Sequence, residues 1–97
     1  MDCIIVSRHP AALDFLASLL DISRIPILTQ AGPGDVRGKI VYGNLPLHLA
    51  ALAAEVWAIE FDGAPPRGQE YSLADMVAAG ARLVPYVVVQ GRAARGE

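Results

Sequence analysis

Apolar positions along the chain change period several times, and the changes mark out alternating strands and helices. Cys3-Ile4-Ile5-Val6 is a short continuous run rich in β-branched residues, the pattern of a strand covered on both faces. After Ser7-Arg8-His9, Pro10 suits a first helical position, where its missing N–H costs nothing. Leu13, Leu16, Ala17 and Leu20 then form a helical stripe, widened by Phe15 and Leu19, in a helix that ends near Asp21. Ile25 to Thr29 reads as a second strand, and Pro26, which cannot donate to a ladder, places it at an edge. Ala31-Gly32-Pro33-Gly34-Asp35 reads as a turn or loop. Lys39 to Tyr42 repeats the strand signal, Leu47, Leu49, Ala50, Leu52 and Ala53 give a second apolar helix, and Val56 to Phe61 a fourth strand.

Asp62 to Gln69 carries Gly63, Pro65, Pro66 and Gly68 and reads as an ordered surface loop. Ser72 and Asp75 resemble a helix-capping pair for a helix over Leu73 to Ala79, which Gly80 terminates. Leu83 to Val89 is the last strand, with Pro85 near its start. The pattern predicts one α/β domain over residues 1–90 and a frayed tail over 91–97, built on a small open five-stranded sheet, mostly parallel, with the last strand antiparallel at an edge. Ligands of such sheets bind beyond the carboxyl ends of the strands.

Composition changes that picture in one respect. Apolar residues make up 54% of the 97 and charged residues 19%, more core than a domain this small covers by itself, so a homodimer is expected. The net charge of −2 argues against a duplex nucleic-acid binder, which relies on many basic residues neutralising phosphates. A small anion remains suited to the chain, because seven of its eight basic residues are arginines, whose forks grip phosphate bidentately. Cys3 is the single cysteine, which excludes an intrachain disulfide and fits a reducing, cytoplasmic setting. No signal-peptide pattern and no apolar run of membrane-spanning length are visible, so no membrane partner is expected. His9, His48, Cys3 and the carboxylates show no metal-ligand spacing, and no Gly-x-Gly-x-x-Gly follows the first strand. Neither a metal nor a cofactor is expected.

The chemistry concentrates in Ser7-Arg8-His9-Pro10. A hydroxyl, a guanidinium and an imidazole stand between the carboxyl end of a buried strand and the amino end of a helix, where backbone N–H groups and the helix dipole favour an anion. Tyr42-Gly43-Asn44-Leu45-Pro46 repeats the same grammar of strand, polar turn, proline and apolar helix, and if the two strands are neighbours both turns line one mouth. Arg8 is the natural phosphate clamp. Ser7 either holds a phosphoryl oxygen or only forms the turn, and His9 either moves a proton or caps the helix. Asn44 donates to phosphate, reads an adenine edge or caps the second helix. His48 faces the same mouth or packs against a neighbouring surface, and Tyr42 stacks on a base or fills core. Arg67 and Glu70 form a local ion pair or a lid over the ligand. Arg82 is expected at the opposite end of the sheet in a structural role, and Trp57 in the core.

These motifs carry a resemblance. Ser7-Arg8-His9-Pro10 with Ala12, Gly43 to Ala50, Arg67-Gly68-Gln69-Glu70, Ala79 to Leu83 and Pro85-Tyr86 resemble, in order and over nearly the whole chain, the small CRISPR-associated Csx-sixteen family; Ala11 stands where that family usually has Gly. The resemblance implies a Rossmann-like, CARF-like, three-layer fold and a ring nuclease of type III CRISPR systems that linearises cyclic oligoadenylate, notably cyclic tetraadenylate. On that basis Ser7, Arg8 and His9 are the expected catalytic residues, and Ser7, Arg8, Pro10, Gly43, Asn44, His48 and Arg67 the expected ligand contacts. The expected reaction is metal-independent attack of a ribose 2′-hydroxyl on its own 3′-phosphodiester. A sequestering module that binds without cutting is the rival expectation.

Overall fold

The computed structural model describes residues 2–62 and 72–92, over which strands and helices alternate. In chain order they are β1 (Cys3–Val6), α1 (Pro10–Leu19), β2 (Ile27–Leu28), α2 (Pro33–Val36), β3 (Ile40–Tyr42), α3 (Leu47–Ala50), β4 (Glu55–Glu60), α4 (Leu73–Ala78) and β5 (Arg82–Tyr86). The sheet order is β2-β1-β3-β4-β5, parallel throughout except for β5, which runs antiparallel to β4. The chain is thus a small Rossmann-like α/β domain with a mostly parallel five-stranded open sheet, as expected. Arg67 and most of the Asp62 to Gln69 loop lie outside the described residues, as does the tail beyond Arg92.

Handedness distributes the helices. The connection from β1 to β2 moves one way along the sheet and that from β2 to β3 moves back past β1, so right-handed crossovers place α1 and α2 on opposite faces. The cores follow. On one face Val36 of α2 and Leu49 and Ala50 of α3 pack with Ile4, Val41 and Val56, which occupy matching register positions on β1, β3 and β4. On the other, Ala11 and Phe15 of α1 cluster with Met76 of α4. Ile5, fully buried, points to the side opposite Ile4, as the pleat requires.

Several elements depart from the sequence pattern for identifiable reasons. The buried face of α1 is Ala11, Phe15 and Leu16, whereas Ala17 is exposed and Leu19 is 55% exposed. The helix packs on α4 as well as on the sheet, and that rotates its inward face towards the i, i+4 pair Ala11–Phe15. The expected loop over Ala31 to Asp35 contains a helical turn, α2. Pro33 supplies a preset N1, and the Asp35 carboxylate accepts from the Gly32 N–H at 2.8 Å, closing the turn so that Val36 is fully buried. β2 contracts to two residues at the sheet edge, where Pro26 contributes its carbonyl, accepting from the Ile5 N–H at 2.9 Å. α3 is a single turn that ends before Ala53, because the chain must return to pair the Ala54 N–H with the Lys39 carbonyl. α4 carries the expected capping box, the Asp75 N–H donating to Ser72 Oγ at 3.2 Å and the Ser72 N–H to Asp75 Oδ2 at 3.0 Å.

Arg82 is placed differently from expectation. Because β5 is antiparallel, its first residue pairs with Glu60 at the last residue of β4, so Arg82 stands at the same end of the sheet as the Ser7 and Gly43 turns. There its guanidinium pairs with Asp62 and lies 4.0 Å from Glu60, whose carboxylate also accepts from the Tyr86 hydroxyl. Trp57 is half-buried rather than core; its ring stacks beside Tyr42, centroids 6.3 Å apart, and its indole N–H donates to Glu55. Opposite Trp57 in the ladder sits Pro85. The Trp57 carbonyl accepts from the Gly43 N–H at 2.9 Å, so the Trp57 backbone faces β3 and that of Pro85 turns to the free edge.

Candidate functional site: a cavity at the sheet switch point

In an open sheet of this order, the carboxyl ends of β1 and β3 diverge to helices on opposite faces and leave a crevice between them. A cavity of about 530 Å³ occupies that crevice. Its rim includes Ser7, Arg8 and His9 after β1, Thr29 and Gln30 after β2, and Gly43 and Asn44 after β3. Its floor is apolar, with Leu16, Leu49, Ile59, Phe61 and Met76. The two turns that share a sequence grammar therefore do line one mouth.

Gly43 is what allows the two turns to meet. Its φ is +134°, and a Cβ built there would stand 2.1 Å from the Val6 carbonyl oxygen at the end of β1. A side chain of any size would separate the strand ends that carry the site. Beyond Gly43 the β3 strand is finished, yet β4 continues, so the Ile59 N–H has lost its strand partner. Asn44 replaces it, accepting that N–H on Oδ1 at 3.1 Å.

The first turn is held in a similar economy. Ser7 Oγ accepts from the His9 N–H at 3.2 Å, which makes the hydroxyl a turn former. His9 occupies the N-cap position of α1 without a side-chain capping bond, and its imidazole is exposed. Arg8 is anchored at one point only, Nε donating to the Thr29 carbonyl at 3.2 Å, and its terminal Nη atoms have no partner among the described residues. Among the described lining residues Arg8 is the one permanent charge, and no carboxylate faces it. The rim is electrostatically suited to an anion.

Pro10 is exposed at N1 of α1, and His48 is exposed on α3; neither lines the cavity. Thr29 and Gln30 do line it and were not singled out from the sequence. The signal was available, since a parallel β2 beside β1 must end at the same mouth. Below the rim, burial, and then its neighbours Cys3 and Glu55, hold the Tyr42 phenol above its usual pKa of 10.0. Among the described residues no three His, Cys, Asp or Glu converge to hold a metal ion, and no helix is long and apolar enough to cross a membrane.

No curated protein and no solved structure matches the chain. One family model does, described as "Putative CRISPR-associated protein (Cas_VVA1548)", and it spans residues 4–89, from the first buried position of β1 to beyond the end of β5. Both turns of the mouth, the floor of the cavity and the edge strand fall inside that match, so the chain belongs to the Cas_VVA1548 family of CRISPR-associated proteins.

Proposed function

We propose that this CRISPR-associated protein is a cytoplasmic, metal-independent ring nuclease of the Csx-sixteen kind, which linearises cyclic tetraadenylate and so ends type III CRISPR signalling. The observation that carries the reading is the cavity at the β1/β3 crevice, with an arginine that no carboxylate opposes among the described lining residues and an imidazole on its rim, and an apolar floor below. Such a pocket suits a nucleotide: the phosphate at the rim, the base on the floor.

The reaction balances without a further reagent. A ribose 2′-oxygen attacks the adjacent phosphorus, the bond from phosphorus to the 5′-oxygen breaks, and the products carry a 2′,3′-cyclic phosphate and a 5′-hydroxyl. One proton leaves the 2′-hydroxyl and one reaches the departing 5′-oxygen. His9 is the lining side chain whose ring nitrogens can accept the one proton or donate the other. Arg8, its Nη atoms unengaged among the described residues, stabilises charge on the phosphoryl oxygens. Ser7 holds the turn that sets both. A cavity of about 530 Å³ is too small for a ring of four nucleotides, so the reading includes a two-fold homodimer whose axis coincides with that of the ring. Two subunits then cut opposite linkages. His48 and Arg67 enter this reading only through the partner or the segment beyond Asp62.

A second reading, sequestration without cleavage, is favoured by one observation. Ser7 Oγ is already engaged by the His9 N–H, which leaves the His9 imidazole as the single acid–base side chain among the described lining residues, where two proton transfers are needed. Incubation with cyclic tetraadenylate in excess EDTA, with products resolved by mass spectrometry, separates the two. Linear species ending in 2′,3′-cyclic phosphate support the nuclease. Intact ring with tight binding supports sequestration, and intact ring with no binding refutes both.

A further inference from the structure

We infer that the Asn44 amide is a fixed hydrogen-bond donor for a phosphoryl oxygen, and that it does not read the base. The inference rests on the reading of the cavity as a nucleotide site and assigns one recognition element within it.

The orientation of an Asn amide is ordinarily ambiguous, because oxygen and nitrogen look alike. Here the partner resolves it. The Ile59 backbone N–H can only donate, and it lies 3.1 Å from the Asn44 side chain, so the atom facing it is Oδ1. That bond is required by the fold: β3 ends at Tyr42 while β4 runs on to Glu60, and Asn44 Oδ1 stands in for the missing strand carbonyl. The nitrogen must then occupy the other branch of the amide, on a residue that lines the cavity mouth. Its two N–H groups have no acceptor among the described residues.

Two consequences follow for recognition. Bidentate reading of adenine needs the amide oxygen and nitrogen presented together along one base edge, the oxygen accepting from N6 and the nitrogen donating to N7, and here the oxygen is turned to β4, where one of its two lone pairs holds the Ile59 N–H. What remains is a pair of donors on the same cavity rim as Arg8, whose Nη atoms are donors too. Donors from two different turns suit a group that only accepts, and an ionised phosphodiester is such a group. Base preference must come from elsewhere in the cavity.

Asn44→Asp tests this with little disturbance to the fold. The carboxylate keeps an oxygen for the Ile59 N–H, while both donors become a negatively charged acceptor. The probes are adenosine 5′-monophosphate, guanosine 5′-monophosphate and adenosine, followed by backbone amide NMR titration, with thermal unfolding of the unliganded protein as the fold control. The expected result is binding of both monophosphates by the wild type, weakened about tenfold or more in Asn44→Asp for both bases alike, with adenosine unaffected and unfolding nearly unchanged. Equal monophosphate binding by the two proteins overturns the inference, and so does a loss confined to the adenine nucleotide. A wild type that binds no monophosphate overturns it together with the nucleotide reading of the cavity. The expected binding pattern in a protein that neither binds nor cuts cyclic tetraadenylate leaves the inference standing and removes the proposed function alone.

Discussion

Gly43→Ala is the substitution whose effect the structure defines most sharply. The added methyl would lie 2.1 Å from the Val6 carbonyl oxygen, well inside van der Waals contact, and the obstacle is backbone in the middle of a parallel sheet rather than the end of a pliant side chain. Relief requires β1 and β3 to part where they are hydrogen-bonded in register, at Ile5 and Tyr42. The φ of +134° adds strain of about 2 kcal/mol for an L residue, and overpacking of this kind adds about 2 kcal/mol more. The sum, about 4 kcal/mol, is a large share of the ~5–15 kcal/mol that holds a domain of this size folded. At about 5 °C per kcal/mol it lowers Tm by about 20 °C, read by circular dichroism on heating. Gly34→Ala is the control: no atom lies within 4 Å of a Cβ built there, and its Tm should match the wild type or rise slightly. A Gly43→Ala protein melting within about 3 °C of the wild type would refute the reasoning, since neither the contact nor the strain could then be present.

Arg8→Ala should leave Tm nearly unchanged, because the side chain is exposed and makes one bond to Thr29, while monophosphate affinity falls about tenfold or more; an unchanged affinity would place the anion elsewhere. His9→Ala should lower the rate of ring opening by about a hundredfold or more with little change in ring affinity, and a full rate would transfer proton movement to another group. Ser72→Ala removes the acceptor for the Asp75 N–H and should destabilise by about 1 kcal/mol, whereas Ser72→Asp should retain most of the wild-type Tm; equal melting of all three would mean the cap contributes nothing. The Tyr42 phenol, raised first by burial, favours the fold while it keeps its proton. That contribution is complete below the unfolded value near 10.0 and is lost as pH climbs through the higher folded value. In an ultraviolet titration Tyr42→Phe should diminish the late-ionising component, in which the Tyr86 phenol, held up by its hydrogen bond to Glu60, remains, and an unchanged curve would contradict the assignment.

The parts legible in the sequence were those set by local chemistry. Cys3 to Val6, Pro10 at the first helical position, the Ser72–Asp75 box and Gly80 at φ +76° all act within a few residues of themselves, and each stands where the pattern placed it. What escaped depended on partners distant in the chain. Ala17 and Leu19 face solvent because α4, more than fifty positions on, claims the Phe15 side of α1. Arg82 stands at the site's end of the sheet because β5, antiparallel as expected, begins where β4 finishes, and the expectation for Arg82 did not follow that direction through. The GPG stretch hid α2 because glycine and proline composition registers as a turn, while the stabilising event was burial of Val36 against Ile4 and Val41. The site followed the same division: Ser7, Arg8 and His9 announced themselves, but Thr29 entered only through its carbonyl, an atom every residue possesses.

Pro85 has a bearing on how this chain survives at high concentration. Val87 and Val89 are exposed just beyond it, and an extended apolar edge of this sort recruits further strands from other molecules. Such recruitment proceeds one ladder rung at a time, and at Pro85 the free edge offers an incoming chain a carbonyl with no amide hydrogen beside it. A growing cross-strand stack would have to skip that rung in every copy. Fibre growth along the β5 margin is thereby disfavoured at that rung.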